Sequence, residues 1–148
     1  MANTLKLCQN PWHSINRIAG EDLTAYLVVK MGTDNKTVVT ATAGSRGLGT
    51  PKTPKKNGQP IAIDVTGELE CIADGALAPG DKVMCGANGK VTKLTGAILA
   101  AGDNALAIGS GTITQGALID SIFTPLFGVA LTETSADGDH VTILKTTV

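Results

Sequence analysis

The clearest pattern of apolar and polar positions runs over residues 61–94, IAIDVTGELECIADGALAPGDKVMCGANGKVTKL. Short apolar runs are cut at near-even intervals by Thr66-Gly67, Asp74-Gly75, Pro79-Gly80-Asp81 and Asn88-Gly89. Glycine supplies the positive φ of a tight turn and proline presets φ at a corner, so this punctuation predicts a compact antiparallel β unit with strands of about four to six residues. Asn88-Gly89 suits a type I′ hairpin between strands at 83–85 and 90–92.

The same pattern recurs elsewhere. LTAYLVVKM (23–31) and the β-branched KTVVTATA (36–43) predict two strands joined by a loop at Gly32-Thr33-Asp34-Asn35. A helix from 14 to 29 competes, since Ile15, Ile18, Leu23, Tyr26 and Leu27 fall on one helical face, but Gly20 and Val28-Val29 weaken it. Near the end, 128–131 predicts a strand, 132–138 a polar turn, and 140–144 a strand that alternates Val141 and Ile143 against Thr142. Residues 95–111 are small and apolar, with a turn at Gly102-Asp103-Asn104 and a short strand at 105–108, and 112–127 stays open between a strand and a short helix stopping before Pro125. Two pieces, 77–83 and 134–141, share a grammar of polar turn, Gly-Asp, then apolar strand, without a period long enough to be a repeat architecture. The expected fold is all-β, a small antiparallel β barrel or sandwich whose core pairs 61–94 with 128–144. The expected organisation is an N-terminal arm, hairpin and flexible loop over 1–60, then a β core over 61–148 with an insertion around 96–127.

Two segments lack a core pattern of their own. Residues 1–20 read as an extended arm broken by Asn10-Pro11, with Leu5 and Leu7 alternating around Lys6. Trp12 is the single tryptophan, and two roles are open for it: anchoring the arm on a neighbouring subunit, or capping its own subunit's core. Residues 44–60, GSRGLGTPKTPKKNGQP, hold four glycines, three prolines and the basic residues Arg46, Lys52, Lys55 and Lys56. Such a composition predicts a loop that is mobile unless a partner holds it. Its glycines beside Arg46 match neither phosphate-loop pattern.

Composition narrows the function. With 148 residues there is room for one core, and with 18 glycines but only 3% aromatics that core must be made of small aliphatic side chains. A net charge of -1 provides no global field for a polyanion or an acidic membrane, so neither nucleic acid nor membrane is an expected partner. The most apolar late stretch, 117–131, is interrupted by Asp120, Pro125 and Gly128, too soon for a spanning helix. The start MANTLKLCQNPWHS is not the basic-then-apolar pattern of a secretory signal. Cys8, Cys71 and Cys85 form no C-x-x-C pair, and a reducing compartment with Cys71 and Cys85 as buried free thiols is expected. His13, His140, Asp81, Asp137 and Asp139 fall in no spacing suited to catalysis, and the Asp137-Gly138-Asp139 string lacks the calcium-loop pattern. No catalytic residue, cofactor or metal site is expected.

Gly80-Asp81-x-Val83, the hairpin at 86–89, the small-residue strand at 128–131 and the closing Gly138-Asp139-x-Val141, taken in that order, resemble the small capsid cement, or decoration, proteins of tailed bacteriophages. The resemblance covers about half the chain, and residues 1–60 and 96–127 exceed the simplest version of the pattern. It implies a structural virion protein, made in the bacterial host cytoplasm, that sits as a homotrimer on the outer capsid surface and stabilises contacts between major capsid subunits. In that setting the arm and the basic loop become the expected capsid or subunit contacts, through Leu5, Leu7, Trp12, Arg46, Lys52, Lys55 and Lys56. The competing expectation is a β-sandwich binding module for a protein or glycan, which would show an exposed aromatic platform; Trp12, Tyr26, Phe123 and Phe127 are few and scattered. An enzyme is the third reading.

Overall fold

A computed structural model describes residues 11–94 and 126–146. The described chain is all-β: β1 (Pro11–Ala19), β2 (Val29–Met31), β3 (Thr37–Thr40), β4 (Thr50–Pro51), β5 (Pro60–Ile72), β6 (Lys82–Cys85), β7 (Val91–Lys93), β8 (Gly128–Ala130) and β9 (His140–Lys145). They form one sheet in the order β2-β3-β1-β5-β9-β8-β6-β7, with β4 on β5. Every ladder is antiparallel except the short β1–β3 pair. Of the expectations for 96–127, all but Leu126 and Phe127 fall outside the described residues, as do Leu5, Leu7 and Cys8.

The fold hangs on β5. Its alternate residues Ile61, Ile63 and Val65 enter one hydrophobic cluster with Ala19, Leu23, Val29 and Val38; Leu69 and Cys71 enter a second with Val83, Cys85, Val91, Phe127, Ala130, Val141 and Ile143. Period-two alternation thus supplies both cores from one strand. Gly67 sits between them at φ 98, a backbone angle favoured by glycine, and pairs with Pro11 on one side and Lys145 on the other. The first half curls from β5 through β1, β3 and β2, and returns through the Val29–Gly49 bridge and β4 onto β5. The second half curls through β9, β8, β6 and β7, and returns where Val91 bridges Ala73 just beyond β5.

The halves are stitched by backbone bonds. Val28 N–H donates to Gly89 O (2.7 Å), Gly89 N–H to Ala41 O (2.8 Å) and Ala41 N–H to Val28 O (2.8 Å), a closed triangle. Val28 and Ala41 belong by chain to the first half and by packing to the second core. Gly89 is required there because a Cβ would come within 2.8 Å of Val28 O. Asn88 and Gly89 take the two positive-φ positions (56° and 73°), and Lys90 N–H closes onto Ala87 O, the turn expected from Asn-Gly.

The echo between 77–83 and 134–141 resolves into a turn used four times among the described residues. At 42–45, 56–59, 78–81 and 136–139 the fourth residue's N–H donates to the first carbonyl (3.0, 3.0, 3.0 and 3.3 Å). The first N–H donates to a side-chain oxygen of the fourth residue: Ser45 Oγ, Gln59 Oε1, Asp81 Oδ2 and Asp139 Oδ2. The third residue is glycine at φ 73, 84, 90 and 89, the type II requirement. Each glycine N–H reaches a distant carbonyl, at Cys85, Ala19, Ala130 and Ala73 respectively. The last three turns launch β5, β6 and β9.

Three expectations need correction. Residues 11–19 are a strand with seven registered partners on β5, where an arm was expected, because Ile15 and Ala19 find apolar cover that the sequence alone does not display. The strand expected at 23–31 shrinks to Val29–Met31: Leu23 bridges Lys55, and Tyr26 takes φ 65 with its N–H on Pro51 O (2.8 Å). Residues 44–60 are held by the chain itself, with Thr50 and Pro51 buried in β4 and two backbone bonds between Lys55 and Leu23 (2.7 and 3.0 Å). Cys71 and Cys85 are buried free thiols.

Candidate interaction surface

The basic residues of the β3–β5 connection do not form one patch. Arg46 is exposed beside Gly47, where a Cβ would touch Val28, Cys85 and Phe127, so it borders the second core. Lys52 lies over the other half, its Nζ 3.5 Å from Asp64 Oδ2. Lys56 Nζ meets Asp22 Oδ2 at 2.8 Å, and Asp22 Oδ1 accepts Asn57 N–H. The Lys56 hydrogen bond is the main cause that lowers the Asp22 carboxyl from its ordinary value, and the same bond raises the Lys56 amine. Lys55 contributes its backbone to the Leu23 bridge. Two of the four cations are therefore matched by carboxylates of the same chain, although exposed pairs of this kind contribute little to stability. Trp12 lies on β1 by its backbone, and its side chain is outside the described positions.

Two polar clusters cover β5. On the face opposite the cores, Asp64 is buried at 8% exposure; its Oδ1 accepts Ser14 Oγ–H (2.7 Å) and its Oδ2 faces Lys52, while His13 Nδ1 pairs with Thr66 Oγ1 (3.0 Å). Burying a carboxylate requires such partners. Farther along, His140 Nδ1 pairs with Glu70 Oε1, and the Tyr26 ring meets His140 edge-on at 5.4 Å. Tyr26 O accepts Ile72 N–H (3.2 Å) while its N–H holds Pro51, so its strained φ is kept by contacts to both halves. At the end of β9, Lys145 is buried with Nζ 5.6 Å from the Phe127 ring centroid, and burial lowers its pKa.

β1 carries a different kind of feature. Ile18 N–H donates outward to Lys36 O (2.9 Å), whereas Ala19 N–H donates inward to Gln59 O (2.9 Å). Antiparallel alternation then directs the backbone groups of Ser14 and Asn16 outward, since the register is regular from Ser14 to Ile18. β3 covers that edge only at Ile18 and Ala19. Where β1 and β3 diverge, a shallow open depression of about 310 Å³ is lined by Asn16, Arg17, Ile18, Asn35 and Lys36. Ile18, Met31 and Leu126 are the exposed large hydrophobic residues among those described. Sequence reasoning singled out the neighbourhood of β1 but not these residues; the alternation Ser14-Ile15-Asn16-Arg17-Ile18-Ala19 was the available signal, hidden beside the Asn10-Pro11 break.

Neither a family model nor a curated protein matches the chain. Among solved structures it is similar to the head fiber gp8.5 N base of bacteriophage phi29, with TM-score 0.62 and 16% sequence identity, over 90% of this chain and 93% of that one. At that identity the likeness is one of fold.

Proposed function

We propose that this chain is a structural protein of a phage virion that seats on the outer surface of the head and braces neighbouring major capsid subunits. The observation that carries the proposal is the fold likeness to a phage head fiber base along nearly the full length of both chains. The order of Gly-Asp turns and small-residue strands that resembles cement proteins supports it from a separate direction. Those segments occupy the second half as framework, with 78–81 and 136–139 launching β6 and β9. A brace must present a rigid surface across a seam, and a continuous sheet with two cores supplies that rigidity. A homotrimer would multiply modest contacts through effective concentration.

The test is co-sedimentation of the purified full chain with phage heads before and after expansion. Binding to expanded heads is expected, and failure to bind either form would overturn the proposal. Sedimentation equilibrium of the free chain, with a threefold mass expected, tests the trimer separately.

A further inference from the structure

We propose that the outer edge of β1 is a docking edge for an extended, carboxylate-bearing segment of a partner protein, which adds to the sheet as a further strand with its acidic end on Arg17 and Lys36. An unpaired strand edge is a template for strand addition, with backbone bonds supplying affinity and side-chain positions supplying selectivity. Among the described residues no strand pairs with the outward backbone groups of Ser14 and Asn16, only the neighbouring Arg17 side chain reaching Asn16 O, and both residues are exposed. The edge ends in the depression where Arg17 and Lys36 are the charged lining residues and Ile18 offers apolar contact.

The guanidinium is not saturated. Arg17 Nη1 donates to Asn16 O at 2.8 Å, its own neighbour's carbonyl, and Arg17 Nε has no acceptor among the described residues. A docked strand would take over Asn16 O and release Nη1 to a carboxylate, for which the planar fork is suited. The nearby Asp34 carboxylate is already engaged: Oδ1 accepts the N–H groups of Lys36 and Thr37 and the Thr37 hydroxyl, and the two backbone bonds are the main causes lowering its pKa. A second copy of the same edge is a poorer occupant, because residues 11–19 hold no carboxylate to meet Arg17 and Lys36. The segment 1–10 of a neighbouring copy carries Lys6 and no carboxylate.

The probes are the full chain and two synthetic strands, acetyl-TVTVTDE-amide and its charge-reversed partner ending in two lysines, so the test does not depend on the virion reading. In the free chain, Ser14 and Asn16 amides should exchange with deuterium about 100-fold faster than Ile15 and Arg17 in the same strand. The acidic peptide should slow Ser14 and Asn16 and shift the resonances of Asn35 and Lys36. It should also bind at least about tenfold more tightly than the basic one, a difference of about 1.4 kcal/mol. Asn16→Pro removes the outward N–H without removing an inward ladder bond, as edge positions tolerate, and should abolish binding while leaving Ile15 and Arg17 exchange unchanged. The double variant Arg17→Glu, Lys36→Glu should reverse the peptide preference. Slow exchange at Ser14 and Asn16 in the free chain, resonance shifts centred elsewhere, or undiminished binding to Asn16→Pro would each overturn the proposal.

Discussion

The two halves of the sheet share β5 and differ in the core each encloses. The second half is bound by a six-pair ladder between β5 and β9, and its core collects residues from β5, β6, β7, β8 and β9. The first half is bound by a seven-pair ladder between β1 and β5, and both halves close through strands of two to four residues and a single bridge, Val29–Gly49 in the first and Ala73–Val91 in the second. Both are made of the same small aliphatic side chains. Core size is what separates them: among the described residues thirteen buried side chains enter the second core and seven the first, where Ile15 and Leu48 pack only partly buried, so the smaller core can yield locally. The half with the smaller core also carries the edge of β1 that no described strand covers beyond Ile18, so framework and accessible surface are divided between the two halves.

The largest test of this contrast is core truncation. Leu69→Ala should cost about 3 to 5 kcal/mol and Ile63→Ala about 2 to 3 kcal/mol in denaturant unfolding, because the first half can relax into the hole more readily. Both residues are essentially fully buried. Equal losses, or the reverse order, would remove the distinction.

The next test strikes the seams. A Cβ at Gly49 would lie 2.0 Å from Asp64 O, and one at Gly128 would lie 2.5 Å from Ile143 Cγ2 and 2.6 Å from Leu144 O. Each alanine substitution should cost about 2 to 3 kcal/mol by overpacking. Gly49→Ala should accelerate amide exchange at Val29 and Leu48, which bond across that seam, while β9 amides keep their protection. Gly128→Ala should loosen β9 first.

A smaller effect is expected at the turns. Gly80 and Gly138 have φ near 90° with open space where a Cβ would stand, so alanine there meets backbone strain alone, about 1 kcal/mol each. The four turns also divide by chemistry. Asp81 and Asp139 are held below the usual carboxylate range, chiefly by backbone N–H donors from Ala78 and from Ser135 and Ala136. A depressed carboxyl contributes stability that is present above its unfolded pKa and is lost as pH falls through the folded value. Between about pH 5 and pH 2, exchange at Ala78, Ser135 and Ala136 should therefore quicken beyond the intrinsic pH effect. Thr42, which donates to the non-titrating Ser45 hydroxyl, should show no such excess.

The smallest expected effect is at the basic loop. Lys56→Ala removes an exposed pair with Asp22 and should leave the thermal midpoint unchanged within error. A clear drop would mean that this loop, and not the β1 ladder, locks the first half.

Local chemistry alone determined the all-β class, the Asn88-Gly89 hairpin, the β2–β3 hairpin and the pairing of 61–94 with the closing strands, because glycine φ and period-two alternation act within a few residues. It also exposed two of the four related turns. The other two were hidden because the capping residue can be Asp, Gln or Ser; what they share is a side-chain oxygen at one position, a geometric property with no single letter. Tertiary structure decided the rest. β1 reads as an arm until Ile15 and Ala19 find apolar cover, and 44–60 reads as mobile until Thr50 and Pro51 are paired to Asp64 and Ile63. Whether a strand edge is covered depends on which distant segment lies beside it, and here β3 stops at Ile18. The edge of β1 that no described strand covers is a property of the assembled sheet, since the same residues in another topology would have had two neighbours.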